Sequence, residues 1–189
     1  GFRWLDRLRE DLPEVAIRAE MARSAPLGDL ILSGALQAVL SYVPLNRPGL
    51  QSERLMEDHL VMVAPWEDAT VESVAGHYAM VDWGADFQRF HEEALPQLAE
   101  PKLVLGMGTL AAWYLRNRPC AAYLPARYTK RQIAEGTVFL VRDAPTFAHP
   151  SWVIWREDMP AELRAVAART LAEVVEKAEG DVAEVLEQL

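Results

Sequence analysis

Apolar residues recur along this chain with two different periods, and the switches between them lay out the elements. Phe2, Leu5, Leu8 and Leu12 fall three or four apart with Arg3, Asp6, Arg7 and Arg9 between them, which predicts an amphipathic helix stopped by Pro13. Val15, Ile17 and Ala19 alternate with Glu14, Arg18 and Glu20 and predict a strand. Ser24 stands at a capping position ahead of Pro26, Leu27, Leu30 and Ile31, opening a helix that Gly34 ends. A short strand at Gln37–Ser41 and a loop at Pro44–Leu50 come next. Arg54–Pro65 holds a strand centred on Leu60–Val63, Val71–Ala75 a helical turn, Ala79–Asp82 a strand, and Ala85–Gln97 a helix with a mixed charged and aromatic surface. Lys102–Leu105, Thr109–Asn117 and Cys120–Leu124 read as strand, helix and strand. Thr129–Ala134 is a short helix, and Val138–Val141 and Ser151–Trp155 are strands. A long helix runs from Pro160 to about Lys177, and Gly180 separates it from an amphipathic piece at Val182–Leu189.

Strands alternating with helices imply an α/β fold with parallel sheets and crossover helices. No repeat, low-complexity stretch or Gly/Ser linker divides the chain, so two lobes would have to be joined by ordinary crossing strands. Leu60–Pro65 and Ser151–Trp155 are the candidates for those crossings.

Composition narrows the class. With 189 residues, 51% hydrophobic and 25% charged, the chain can bury a core without disulfides or metal. Its one cysteine, Cys120, excludes an internal disulfide and begins an apolar strand, which reads as an inert buried thiol. The net charge of −9, without a Lys/Arg cluster, argues against direct nucleic-acid binding by this polypeptide. The charged start Gly1–Arg7 does not read as a signal peptide, and no apolar run is long enough to span a membrane.

Candidate chemistry is sparse. His59, His77, His91 and His149 are scattered, and none pairs at metal-ligand spacing, so neither a metal nor a cofactor is expected. Gly106-Met107-Gly108-Thr109-Leu110-Ala111 matches a dinucleotide-binding fingerprint after a strand and before a helix. The next strand ends in Leu124-Pro125-Ala126-Arg127, without the acidic residue a ribose needs, so the match reads as a decoy. An enzyme of deaminase type would need a buried acid–base pair that the sequence does not announce.

Four segments in order carry a family resemblance: Asp11–Val15 (DLPEV), Leu27–Tyr42 (LGDLILSGALQAVLSY), Pro48–Pro65 (PGLQSERLMEDHLVMVAP) and Leu110–Val141 (LAAWYLRNRPCAAYLPARYTKRQIAEGTVFLV). Together they resemble the effector-binding domain of LysR-type transcriptional regulators, from residue 1 to about residue 178. Two positions depart from the family pattern: Gln37 stands where Asp is usual, and Arg116–Cys120 replaces a glycine turn. The resemblance implies two Rossmann-like lobes of the type-II periplasmic-binding-protein kind, residues 1–65 with 151–189 and residues 66–150. It also implies that the family's first strand and its DNA-binding winged helix-turn-helix lie outside this sequence.

The function implied by the resemblance is a cytoplasmic, non-catalytic sensor that binds a small organic anion between its lobes, where helix N-termini carry partial positive charge. The alternative is a transporter's solute-binding protein of the same fold. The resemblance assigns effector contacts to Ser24, Tyr42, Asp82, Trp83, Gly108 and Thr109. Ser24 and Thr109 can equally be helix caps, Trp83 and Tyr42 packing aromatics, and Gly108 a point of close backbone approach. A homodimer or tetramer is expected through Phe2–Leu12 and Ala85–Gln97, on the strength of their apolar stripes.

Overall fold

A computed structural model describes residues 2–21 and 24–189. In chain order the elements are α1 (Phe2–Asp11), α2 (Ser24–Leu32), β1 (Ala38–Ser41), β2 (Leu50–Ala64), α3 (Val71–Val74), β3 (Ala79–Val81), α4 (Ala85–Ala94), β4 (Leu103–Leu105), α5 (Gly108–Asn117), β5 (Ala122–Pro125), α6 (Ala126–Ala134), β6 (Phe139–Leu140), β7 (Phe147–Arg156) and α7 (Ala161–Leu186). They fall into two units: unit 1 is Gly1–Glu57 with Pro150–Gly180, and unit 2 is Asp58–His149 with Asp181–Leu189. The chain passes from one to the other along β2, β7 and α7. The last residues, 181–189, thus group with unit 2, whereas the sequence pattern placed them in the first lobe.

In unit 1, β1 pairs antiparallel with β7, Ala38 opposite Trp155 and Ser41 opposite Trp152. Successive side chains on β7 point to opposite faces, and each face has its own cover. Ile154 joins Val39, Leu50 and Ile31 under α2, while Val153 and Trp155 pack with Trp4 and Leu8 of α1 and Ala167 and Leu171 of α7. The Trp4 indole N–H donates to the Ala167 carbonyl and the Thr170 hydroxyl, 3.1 Å each, so its polar atom is satisfied inside the core. Arg156 closes α2 by donating to the Ile31 and Leu32 carbonyls, and Gly34 takes the left-handed turn there at φ 81°.

In unit 2, β3 and β4 run parallel, Ala79 opposite Leu103 and Val81 opposite Leu105. A parallel bridge from Tyr78 to Ala121 joins them to β5. β5 and β6 pair antiparallel with β2. Leu60, Met62, Tyr78, Met80, Phe87, Leu95, Leu98 and Tyr123 form the core beneath α4. α5 buries Ala111, Ala112 and Leu115. Lys130 of α6 holds the end of α7 through Asp181 (2.9 Å) and Glu184 (2.8 Å).

Four expectations are corrected. The strands are not all parallel: β3 pairs parallel with β4, but β1 with β7 and β2 with β5 and β6 pair antiparallel. Residues 15–19 form no strand, since no ladder partner exists among the described residues, and positions 13–21 are exposed. Gly180 does not break α7, whose buried stripe continues through Ala178, Val182 and Val185 across it. The apolar stripes of α1 and α4 are consumed within the chain, where Trp4, Leu8, Phe87 and Leu95 are all buried.

Candidate functional site

Because β3 and β4 are parallel and in register, the loops leaving them emerge at the same end, the position at which open α/β sheets bind ligands. Those loops carry Asp82–Gly84 and Gly106–Met107 and open directly into α4 and into α5, whose first residues are Gly108 and Thr109. The Asp82 N–H donates to the Leu105 carbonyl (2.9 Å), which ties the two loops together. The Asp82 carboxylate accepts the Gly84 N–H (3.1 Å), and Gly84 adopts φ 100°, a conformation glycine takes without strain. Neither helix has a side-chain cap, so their first N–H groups face this end of the sheet without local acceptors from a capping side chain. Thr109 is exposed inside the first turn of α5, after an N-cap at Met107, and is not the cap the sequence suggested.

Gly108 has a specific reason to be glycine. A Cβ there would lie 2.2 Å from the Trp83 ring, so the bare backbone admits the indole. Trp83 is half-buried, donates its N–H to the Tyr123 carbonyl (3.0 Å), and meets the His149 ring edge-on at 5.7 Å. Asp82, Trp83, Gly108 and Thr109 therefore form one group within unit 2. Ser24 and Tyr42 belong to unit 1: Ser24 opens α2, with its side chain outside the described residues, and half-buried Tyr42 comes directly after β1.

The sequence did not single out the pair Asp58 and Arg127, whose cation acts on His149 beside Trp83. Asp58, fully buried on β2, pairs with Arg127 of α6 at 2.6 Å and accepts the His59 N–H at 2.9 Å. Burial pushes the Asp58 carboxyl up, and the Arg127 charge opposes that push. His149 is buried, and its pKa is lowered to about 4 by desolvation first and the Arg127 charge second. His91, buried and stacked on Tyr78 at 5.3 Å, is also pushed down by desolvation. Burial raises the Cys120 thiol to about 11, far from a reactive thiolate. The alternation of Phe147 and His149 was a usable strand signal, but Pro150 after them reads as a strand boundary. Among the described residues no group of three His, Cys, Asp or Glu could hold a metal ion, and no helix is long and apolar enough to cross a membrane.

An α/β chain with helix starts, an indole and a hydroxyl gathered at the ends of parallel strands has the makings of a small-molecule recognition domain of the type-II periplasmic-binding-protein class. The family described as the LysR substrate binding domain matches residues 2–178, and the chain belongs to it. It is an effector-sensing regulatory domain rather than a transporter's solute-binding protein. Solved structures share its fold. The regulatory domain of HypT from Salmonella typhimurium in its apo form is 16% identical with a TM-score of 0.70, covering 93% of this chain and 90% of that one. The regulatory domain of MexT, a transcriptional activator in Pseudomonas aeruginosa, is 19% identical with a TM-score of 0.67, covering 88% and 90%. ArgP from Mycobacterium tuberculosis is 14% identical with a TM-score of 0.69, covering 91% of this chain and 62% of that one. No curated protein matches the chain.

Proposed function

We propose that this domain senses a small organic anion, without chemistry of its own, in a cytoplasmic regulator whose DNA contacts are made by a winged helix-turn-helix outside these residues. The observation that carries the reading is the side-by-side start of α4 and α5 at the ends of β3 and β4, with Trp83 and Thr109 beside them. Such N-termini present N–H donors and partial positive charge to an anion. The HypT regulatory domain has been solved with bromide ion bound, which is in keeping with an anion-accepting fold. This reading takes Asp82, Trp83, Gly108 and Thr109 of unit 2 as effector contacts, and keeps Ser24 and Tyr42 of unit 1 as separate candidates. A thermal-shift screen of small carboxylates, aromatic acids and amino acids tests this. A ligand at a hundred times its Kd adds about 2.7 kcal/mol of stability, and that gain should shrink in Thr109→Ala and Ser24→Ala. A screen in which no anion stabilises the protein, or in which both variants respond like the wild type, overturns the proposal.

The same reading includes a homodimer in which α1 of one copy lies beside α4 of its partner. The contact surface is polar, because the apolar stripes face inward. Arg3, Asp6, Arg9 and Glu10 are exposed on α1, and Asp86, Arg89, Glu92 and Glu93 on α4. β4 ends its two-stranded sheet among the described residues, with Val104 60% exposed, and strand addition by a second copy would cover that edge. Sedimentation as a strict monomer at tens of micromolar protein removes the dimer.

A further inference from the structure

We propose that Phe147 and His149 act together as a two-point clamp that fixes α4 to β7. They are two residues apart on one strand and so share a face, with exposed Ala148 on the other. His149 takes the entry to the helix, meeting Trp83 edge-on at 5.7 Å, immediately before the Gly84 N-cap. Phe147 takes the body of the helix, 4.9 Å from the Phe90 ring and 5.4 Å from the Phe87 ring. Tyr123 of β5 supplies the floor, 5.2 Å from Phe87 and holding the Trp83 N–H on its carbonyl.

α4 is held besides by buried Leu95 and by buried His91, which stacks on Tyr78 at 5.3 Å. It spans 10 residues, has no side-chain cap at its start, and ends at Leu95 with an irregular backbone (φ −134°, ψ 57°). A helix this short is marginal by itself, so its position comes from what it packs against. Of the four rings that anchor α4 and its entry from outside the helix, Tyr78, Tyr123, Phe147 and His149, two belong to β7, the strand along which the chain leaves unit 2 after His149. Any displacement of β7 is therefore passed to α4 at two separated points, and with it to the charged outer face of Asp86, Arg89, Glu92 and Glu93. Phe147 and His149 are thus positioning residues for α4. Their regulatory use rests on the reading that this face meets a second copy of the chain.

Hydrogen–deuterium exchange of the whole chain tests the clamp, comparing wild type with Phe147→Leu, His149→Ala, His149→Phe and the Phe147→Leu/His149→Ala double variant. Amides of residues 85–94 should exchange about tenfold faster in either truncation, the size expected for losing an aromatic anchor. His149→Phe keeps a ring edge against Trp83 and should stay near wild type. In the double variant the two effects should not add independently, since both act on one helix. Protection of α4 unchanged in both truncations overturns the clamp. So does faster exchange spread evenly over β3, α5, β5 and α4, which signals a loosened core. If Phe147→Leu fails to fold, Phe147→Met keeps the volume without the ring and serves in its place. Sedimentation of the same variants is read separately: a released α4 with unchanged self-association supports the clamp and takes α4 out of the proposed dimer contact.

Discussion

Acidification should destabilise this domain chiefly through His149. The ring is buried, and desolvation with the Arg127 charge lowers its pKa from 6.5 to about 4. The unfolded chain takes up the proton near pH 6.5 and the folded chain only near 4. The neutral ring therefore supports full stability above pH 6.5, and that contribution is lost as the pH falls through this window. A shift of that size corresponds to about 3 kcal/mol once complete, and about 2 kcal/mol of it is lost by pH 5. His91, also pushed down by burial, adds in the same direction. Asp58 acts oppositely, because a carboxyl raised by burial binds its proton more readily in the folded state, while Arg127 limits that rise. Urea denaturation of wild type and His149→Gln between pH 7.5 and 4.5 separates these contributions. The wild type should lose about 2 kcal/mol more than the variant between pH 7 and 5. Parallel stability curves would refute the claim that His149 is held neutral by its surroundings.

Packing sets three further outcomes. Gly108→Ala places a methyl 2.2 Å from the Trp83 ring and should cost about 1–3 kcal/mol in a denaturant melt, much of it recovered by Trp83→Leu in the same chain. Gly180→Ala meets nothing within 4 Å, lies inside α7, and should stabilise by about 0.5–1 kcal/mol, raising the melting temperature. Arg127→Ala leaves the fully buried Asp58 carboxylate unpaired and should cost about 3–5 kcal/mol near neutral pH, a loss that shrinks on acidification as Asp58 takes up a proton.

Much of this architecture could be read from spacing alone, and the failures have identifiable causes. The helices at Phe2–Asp11, Ala85–Ala94 and Gly108–Asn117 show their period because one face is buried and the other wet. The apolar centre of β2 was visible at Leu60–Val63, but its first half hid behind Gln51, Glu53 and Glu57, exposed where the strand has a wet face. Pro150 concealed the start of β7 and with it Phe147 and His149. Strand direction was misread because β1 and β7, far apart in sequence, are not linked by one crossover helix. Of the candidate site, the residues after β3 and β4 could be named from the sequence, and the structure sets them side by side. What Gly108 is for was not, since Trp83 lies 25 positions away and only the folded chain brings its ring onto that backbone. Asp58 and Arg127 are ordinary charged residues in sequence, and only burial makes them a pair.

That pair also bears on what the site can bind. The Arg127 charge helps to lower the pKa of His149, and His149 in turn touches Trp83. Left alone, a guanidinium near a binding site favours an anion by Coulomb attraction. Asp58 at 2.6 Å cancels most of that field, so on the proposed function the helix N-termini of α4 and α5 are the main source of anion selectivity. Asp58→Asn keeps the shape and removes the cancelling charge. Its affinity for a carboxylate found in the thermal-shift screen should rise by up to about tenfold by titration calorimetry, while a neutral analogue binds as before. The same variant should be less stable, because Arg127 then lacks its buried partner. Carboxylate affinity equal to that of the wild type would mean that the Arg127 charge does not reach the ligand, and that the helix starts act without it.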